Sequence, residues 1–547
     1  MKFIFTTFIL LITSGFAQTI HAAAAERKPN LIFILTDDQR QDSLGCYGNT
    51  FIKTPHIDRL AKEGTLFEQA FVTSAICTPS RACYFLGQYE RRHAVNFNSG
   101  TALTASAWNK SYPVILRKNG YYTGYVGKNH VPIGKSGYET GLMDQSFDFW
   151  YAAHGHLGFY PKKRHPRFAD AQADTQIEII NEGAQSFLNT KKTYLKGAEA
   201  FLKQRPDNQP FCLSICLNVP HAASTSKMKL LPSDPELYRS TYRDQIKSIP
   251  LPSRYTAKSS IQSPKLPSDV LQTQYRQNSY DYVDTKADLG ERLIREYQTI
   301  TGVDRMLGAI RDQLETLNIS DNTVIIFASD HGVMHGEYGL GGKALNYEAC
   351  LKVPMLIMDP RLPEKRAGQR LDSLVLSIDI APTLLDFAGI SPPDTMQGNS
   401  LLPLLKGKPE KWRSYAFAEN LWSTVFGNPR IESVRSKQWK YIRYFKNDHS
   451  LWDQLGKGLA KYRTSPEQAA LYTQWLTSTI HGEKPVYEEL FDIKNDPSES
   501  TNLASNPHHL QTLQQMRAQA SRLVREARGP LDVPAQVLRL SQSVEPR

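Results

Sequence analysis

The sequence predicts an α/β sandwich built on a large, mixed but mostly parallel central sheet, with a smaller C-terminal α+β unit carrying an antiparallel sheet. Three observations predict it. Four short apolar runs, Leu31 to Leu35, Tyr122 to Gly127, Phe211 to Leu217 and Val324 to Ser329, each lead into polar or charged residues, as strands buried on both faces do. Helical patterns separate them, which is the alternation of a parallel sheet with crossover helices. From about Ser400 the texture changes, and Val434 to Phe445 alternates with aromatic and basic residues, the pattern of half-buried antiparallel strands.

Each element has its own signals. Ile57 to Gly64 reads as a helix closed by its glycine, Ser80 to Leu86 as a helix start with Pro79 before it, and Glu291 to Leu317 as a long amphipathic helix. Leu510 to Arg528 reads as a closing helix. Residues 222 to 285 are rich in Ser, Pro, Lys and Tyr with little periodicity, so they read as a long surface insertion beside the strand ends, where α/β folds collect ligands. The expected organisation is a signal peptide over 1–25, a catalytic domain over 26–404 and a C-terminal subdomain over 405–547. No internal repeat is visible.

The opening stretch supports that first boundary. Lys2 precedes an apolar run from Phe3 to Phe16 and the small residues Ala22 to Ala25, the layout of a cleaved export signal. The run is interrupted by Thr6, Thr7, Thr13 and Ser14 and falls short of the roughly 20 residues that span a bilayer. A periplasmic or secreted protein with no stable membrane span is the expectation. A net charge of +11 suits an anionic partner, yet no basic run interleaved with aromatics marks a nucleic-acid surface. Six cysteines in 547 residues do not make a disulfide framework and match no zinc spacing. Cys212 and Cys216 share a strand face roughly 13 Å apart along it, too far to bridge each other.

Two strand ends are acidic. The first run is followed by Thr36-Asp37-Asp38-Gln39 and the fourth by Asp330-His331-Gly332. An isolated Asp-Asp is more often a helix cap or a solvated pair, but two acidic strand ends that converge make a site for a hard cation. Between them in sequence lies Cys77-Thr78-Pro79-Ser80-Arg81, a cysteine before a helix N-terminus, where the dipole lowers a thiol pKa or favours an anion. Lys128, His130, His221 and Lys343 follow strand ends. Any one of these basic residues has a plain reading as a solvated charge or a hydrogen-bonded loop residue; together with Arg81 they make a case for convergence. His154, His156, Arg164 and His165 cluster after Trp150, and read as a surface loop more readily than as a pocket lining.

The motif Cys77 to Arg81 resembles the Cys-x-Pro-Ser-Arg element of the type I, formylglycine-dependent sulfatases, in the polysaccharide-acting branch. The resemblance extends over most of the chain. Asp37 and Asp38 match that family's paired aspartates, Gly127-Lys128-Asn129-His130 its Gly-Lys-Trp-His element, and Pro220-His221 its Pro-His pair. Asp330-His331-Gly332 matches its second metal motif, Gly342-Lys343 the lysine beyond it, and Glu489 to Asp492 through Asn502 to Ala504 its C-terminal ending. Asn129 stands where the family has tryptophan, and Leu86 where it commonly has threonine.

The resemblance implies an alkaline-phosphatase-like sandwich, a Ca2+ ion, and conversion of Cys77 to formylglycine by a maturation enzyme. It implies metal ligands Asp37, Asp38, Asp330 and residue 77, with His331 either a ligand or a neighbour of the ion. The implied catalytic set is Cys77, Arg81, Lys128, His130, His221 and Lys343. In it, Arg81 and Lys128 hold the hydrated aldehyde, His130 takes the proton that releases sulfate, Lys343 clamps sulfate oxygens, and His221 protonates the leaving alcohol. The implied substrate is sulfated carbohydrate, a fragment of an extracellular or algal polysaccharide of the ulvan, carrageenan or fucoidan type. Two alternatives stay open: a phosphomonoesterase or phosphonate hydrolase of the same superfamily, and a sulfated-glycan binding protein without turnover.

Overall fold

The computed structural model describes residues 27–97, 101–135, 137–188, 208–267, 270, 280–408, 411–422, 429–446, 466–531 and 537–539; the expected signal peptide lies outside them. The central sheet contains β1 (Asn30–Asp37), β2 (Thr65–Phe67), β3 (Tyr122–Asn129), β4 (Phe149–His154), β5 (Phe211–Pro220), β6 (Thr323–Ser329), β7 (Met355–Met358) and β8 (Gln369–Leu371), in the order β8-β2-β7-β6-β1-β5-β3-β4. Only β7 runs antiparallel to both its neighbours. All four strands expected from apolar runs are present and lie side by side as β3, β5, β1 and β6, every pair parallel.

Helices α1 (Pro55–Glu63), α2 (Cys77–Leu86), α3 (Tyr112–Lys118), α4 (Gln176–Leu188), α5 (Lys286–Thr316) and α6 (Ile380–Phe387) cover the sheet. Alternation along β1 divides the core between them. Leu31, Phe33 and Leu35 face the layer of α2, α3 and α6. Ile32 and Ile34 face the layer of α1, α4 and α5. Both faces are apolar because both are covered, which is why β1 reads in the sequence as a continuous apolar run.

Two boundaries differ from expectation in ways that matter. Helix α2 begins at Cys77 itself, with Ile76 as N-cap, so Pro79 sits inside the first turn rather than before it; a missing N–H costs nothing there. Helix α5 begins at Lys286, where Thr285 Oγ1 accepts from the Asp288 N–H at 3.1 Å. Its polar residues Arg292, Arg295 and Glu296 are buried, because the segment after His221 returns across them: Arg292 Nη2 donates to the Pro220 carbonyl at 3.2 Å, and Arg295 Nη1 donates to that of Met228.

The C-terminal sheet is antiparallel, with β9 (Ala416–Asn420), β10 (Arg430–Arg435), β11 (Trp439–Phe445) and β12 (Tyr487–Asp492) in that order. Helix α7 (Leu510–Arg528) lays Leu513, Met516, Ala520 and Val524 on Phe417, Val434, Tyr441 and Leu490, one helical stripe against one face of the sheet. All six cysteines are free. Among the described residues no helix is long and apolar enough to cross a membrane.

Candidate active site

The site forms where β1, β5, β6 and β3 end together against the N-terminus of α2. Consecutive residues of a strand point to opposite faces, so Asp37 and Asp38 reach one site only if the chain turns between them. It does: Asp38 is left-handed at φ 62°, a conformation that costs a non-glycine residue about 1 kcal/mol or more and that aspartate tolerates better than most. The strand ends are tied together, the Asp330 N–H donating to the Thr36 carbonyl at 3.0 Å and that of His221 to the Asp37 carbonyl at 3.1 Å.

The spacing of the cysteine motif has a geometric reason. Cys77, Ser80, Arg81 and Tyr84 stand at i, i+3, i+4 and i+7, one face of a helix, and α2 turns that face onto the end of β6. Ser80 Oγ donates to the Asp330 carbonyl at 2.5 Å, and Tyr84 Oη to that of Ser329 at 2.9 Å. Arg81 donates through Nε to Asp330 Oδ2 at 2.9 Å, and through Nη2 to Asp37 Oδ2 at 3.1 Å and to the Leu217 carbonyl at 3.0 Å. It therefore bridges two carboxylates and spans β1, β5 and β6, while Cys77 is presented at the centre. Cys77 Sγ lies 3.1 Å from Lys343 Nζ, 3.3 Å from His331 Nε2 and 3.6 Å from Asp37 Oδ1.

Three buried carboxylates meet three buried cations here. Lys128 pairs with Asp37 Oδ2, and Lys343 Nζ lies 2.9 Å from Asp38 Oδ1. Burial alone would push the Asp37 carboxyl up, but Lys128, Arg81, His221 and Lys343 hold it well below the usual range. Asp330 goes the other way, raised by burial and by the neighbouring Asp37 charge. His331, also buried, is drawn up to about 9 chiefly by Asp330 and Cys77, against the opposing pull of burial and Lys343. The donor set fits a hard cation. Ligand atoms of Asp37, Cys77, Asp330 and His331 lie within 4.8 Å of one another, as do those of Asp37, Asp38 and His221, and three of these six residues are carboxylates, the oxygen donors a hard cation takes.

Lys128 reaches this cluster because β3 continues past Gly127, whose φ of 104° and lack of Cβ let it pass the Cys216 carbonyl of β5. His130, next along, is buried with no partner on Nδ1, and its ring lies 4.8 Å from that of His156. His156 in turn stacks on His221 at 4.7 Å, and its Nδ1 is 3.5 Å from Lys128 Nζ. His221 Nε2 is 3.9 Å from Asp38 Oδ2. Burial, then the charge of Lys128, holds His130 and His156 well below the ordinary histidine range. Burial, then Lys343 and Lys227, does the same to His221.

The structure thus brings together Asp37, Asp38, Cys77, Arg81, Lys128, His130, His221, Asp330, His331 and Lys343. It also corrects the surface-loop expectation for the cluster after Trp150: that stretch is strand β4 and the turn beyond it, and His156 stands inside the row of imidazoles. His165 supports it, with Nε2 3.2 Å from the His156 carbonyl, whereas Arg164 is exposed. His154 faces Asn129, the residue in the family's tryptophan place, with Nδ1 2.7 Å from Asn129 Nδ2. Asn218, two residues before Pro220 and part of no sequence motif, contacts Asp37, His156 and His221 through one amide nitrogen.

A family model described as Sulfatase matches residues 29–390, and one described as N-sulphoglucosamine sulphohydrolase, C-terminal, matches residues 336–458. The chain is 28% identical over 484 residues to the N-acetylglucosamine-6-O-sulfatase of Bacteroides thetaiotaomicron, covering 78% of this chain and 80% of that one. It is 29% identical over 493 residues to an ulvan-active sulfatase of Formosa agariphila, covering 89% and 78%. Among solved structures, BT4656 in complex with its substrate D-glucosamine-2-N,6-O-disulfate superposes with a TM-score of 0.66 at 22% identity, over 91% of this chain and 98% of that one. The phosphonate monoester hydrolase of Agrobacterium radiobacter superposes with a TM-score of 0.61 at 22% identity, over 92% and 96%; both likenesses are of fold. With two thirds of its length matched by the family model and the acidic strand ends gathered around Cys77, the chain belongs to the sulfatase family and is a sulfuric ester hydrolase.

Proposed function

We propose that this enzyme hydrolyses sulfate monoesters on sulfated carbohydrate, with residue 77 acting as formylglycine beside a calcium ion. The observation that carries the reading is the position of Cys77 Sγ, held at a helix N-terminus within 3.6 Å of Lys343, His331 and Asp37. Formylglycine, made from this cysteine by a maturation enzyme, supplies when hydrated one hydroxyl to attack sulfur and a second to expel sulfate. Calcium would be held by Asp37, Asp38, Asp330 and residue 77, with His331 at its edge, and would neutralise charge on the sulfate oxygens.

The remaining roles belong to residues of the chain. Arg81 binds Asp37 and Asp330 and so sets the ligand geometry beneath residue 77. Lys128 bonds Asp37 from the other side. Lys343, beside residue 77 and Asp38, is placed to take sulfate oxygens. His130, kept neutral by burial and by Lys128, has the protonation state of a base. His221 acts as the acid toward the leaving alcohol. Burial, and then the charges of Lys343 and Lys227, keep its resting form neutral; an anionic ester offsets the part due to the cations, which favours the imidazolium that gives the proton.

The glycan reading rests on the relatives, whose names include N-acetylglucosamine-6-O-sulfatase and ulvan-active sulfatase, and on a basic chain that begins with an export-like segment. We place the enzyme in the periplasm or outside the cell, on oligosaccharides of the ulvan, carrageenan or fucoidan type. Mass spectrometry of the Cys77 peptide, with turnover of aryl sulfate against aryl phosphate, tests the reaction. Formylglycine and a preference for sulfate are expected. Full activity with an intact thiol would overturn the mechanism, and preference for phosphate would favour the phosphohydrolase alternative. A panel of sulfated oligosaccharides, lipids and steroid sulfates tests the substrate class; faster turnover of a lipid or steroid sulfate than of every glycan would defeat it.

A further inference from the structure

Lys343 reaches residue 77 from a hairpin too short to hold itself. Met334–His335 pairs with Gly341–Gly342, two residues to a strand, and even a longer hairpin is marginal when isolated. Beyond the lysine, the Ala344 N–H donates to the Ala75 carbonyl at 2.7 Å. Before it, Arg40 holds Glu337 at 2.5 Å and Tyr338 Oη donates to the Ser498 carbonyl at 2.9 Å. Much of the hairpin then lies against the insertion that follows His221. The Thr256 N–H donates to the Gly336 carbonyl at 2.8 Å, and the Tyr338 N–H to that of Arg254 at 2.9 Å.

The insertion occupies the space where side chains of the hairpin would be. A Cβ at Gly336 would fall 2.6 Å from Tyr255 Cδ2, one at Gly339 would strike Ile261 Cδ1, and one at Gly341 would fall 3.0 Å from Val283 Cγ2 and 3.3 Å from Tyr280 Cβ. The first two glycines are left-handed, at φ 91° and 77°, which is reason enough for glycine. Gly341 stands in the strand, two residues before Lys343, without a positive φ, so its missing side chain answers to space alone. Tyr280 and Val283 are buried, and Tyr255 Oη donates to the Val283 carbonyl at 3.1 Å, which joins the two parts of the insertion that grip the hairpin.

We infer that Val283 and Tyr280 are positioning residues for Lys343. Through the close fit at Gly341 they fix the hairpin that sets the lysine 3.1 Å from residue 77 and 2.9 Å from Asp38, and so they govern how tightly sulfate is held. The inference rests on the reading of Lys343 as the residue that takes sulfate oxygens, and extends it to the insertion. A close-packed contact transmits a displacement rather than absorbing it, and a misplacement of about 1 Å at a reacting group costs on the order of 10²-fold in rate.

The test is Gly341→Ala, Val283→Ala and the two combined, read by kcat/KM on nitrophenyl sulfate and by the inhibition constant of inorganic sulfate. Gly341→Ala is expected to lower kcat/KM by about 10- to 100-fold and to raise the sulfate constant about tenfold. Val283→Ala removes the Cγ2 that the new methyl meets, so the double variant should recover most of both. In a Lys343→Ala background Gly341→Ala should cost less than about twofold, because the lysine it displaces is gone; a general loss of packing would persist there. A double variant no better than Gly341→Ala, a full loss repeated without Lys343, or a sulfate constant unchanged in Gly341→Ala overturns the positioning role. Should Gly341→Ala not fold, Val283→Ile overfills the same contact from the other side and is read by the same two constants. Absence of turnover on every sulfate ester would instead count against the sulfatase reading, while calorimetric affinities of the same variants for inorganic sulfate would still decide the role of the insertion.

Discussion

His156 and His221 stack with ring centroids 4.7 Å apart and planes 15° apart, and both turn Nδ1 toward a single nitrogen, Asn218 Nδ2, at 3.4 and 3.3 Å. The amide cannot be reversed at no cost. Its oxygen accepts from the Gly158 N–H at 3.3 Å and its nitrogen faces Asp37 Oδ2 at 3.4 Å. A donor at Nδ1 assigns the proton of each neutral imidazole to Nε2. Asn218→Asp replaces that donor with a carboxylate, which draws the proton to Nδ1 and raises both imidazoles. We expect kcat to fall by about 10- to 100-fold, the usual cost of losing an orienting partner, and the pH limb set by His221 to move to higher pH. An unchanged kcat/KM profile against pH would refute the assignment.

His221 itself has a more selective expected signature. A sugar hydroxyl leaves poorly without a proton, whereas nitrophenolate scarcely needs one. His221→Ala is expected to lower kcat on sulfated sugars by about 10²- to 10⁴-fold and to affect nitrophenyl sulfate far less. Equal losses on both would make His221 a binding residue.

What could be read from the sequence and what could not follows from the range of the interactions. Asp37, Asp38, Asp330 and His331 were legible because each follows an apolar run long enough to be a buried strand. Cys77 and Arg81 were legible because five adjacent residues carry the motif. His156 and Asn218 were not, since they meet across 62 residues and neither sits in a motif. The strand Phe149–His154 carries no sequence signal because its residues do not alternate and only its parallel pairing with β3 defines it. Likewise β2 and β8 are three residues each, too short for a period to show. The start of α2 lies ahead of the point Pro79 suggests, because a proline marks helix starts yet is equally at home within the first turn.

Calcium should stabilise the folded enzyme as well as activate it. Only the folded chain gathers Asp37, Asp38 and Asp330, so the proposed ion would bind the native state alone and contribute about 2.7 kcal/mol at a hundredfold excess over Kd. Chelation is expected to lower Tm and activity together, with calcium restoring both better than zinc because oxygen ligands predominate. Asp37→Asn should abolish the calcium-dependent rise in Tm. Stoichiometric zinc without calcium by elemental analysis would reject the assignment.

A second buried ionic cluster, away from the reaction, makes a prediction about pH. Where α2 is followed by Glu90 to His93, Arg91 donates to Glu419 Oε2 at 2.5 Å and Glu432 Oε1 at 2.6 Å, and Arg443 donates to Glu432 Oε2 from β11 at 2.5 Å. Glu90 completes the group, accepting from Ser74 Oγ at 2.9 Å, the Leu421 N–H at 3.1 Å, Tyr472 Oη at 3.2 Å and Asn96 Nδ2. Glu419 and Glu432 thus take the two guanidinium groups, and buried Glu90 is held by neutral donors alone. Burial, and then the charge of Glu419, raises Glu90 to about 8. The folded state therefore keeps a proton that the unfolded chain loses near pH 4.5, and a state that binds more protons is favoured at low pH. This group's contribution to stability is complete below about pH 4.5 and declines as pH rises toward 8, by up to about 1.4 kcal/mol per pH unit. Glu90→Gln keeps an acceptor for the Leu421 N–H and removes the titration, so the urea midpoint of that variant should lose this decline and exceed that of the wild type at pH 8. Wild-type and Glu90→Gln curves that stay parallel from pH 5 to 8 would show that Glu90 is already ionised in the folded enzyme.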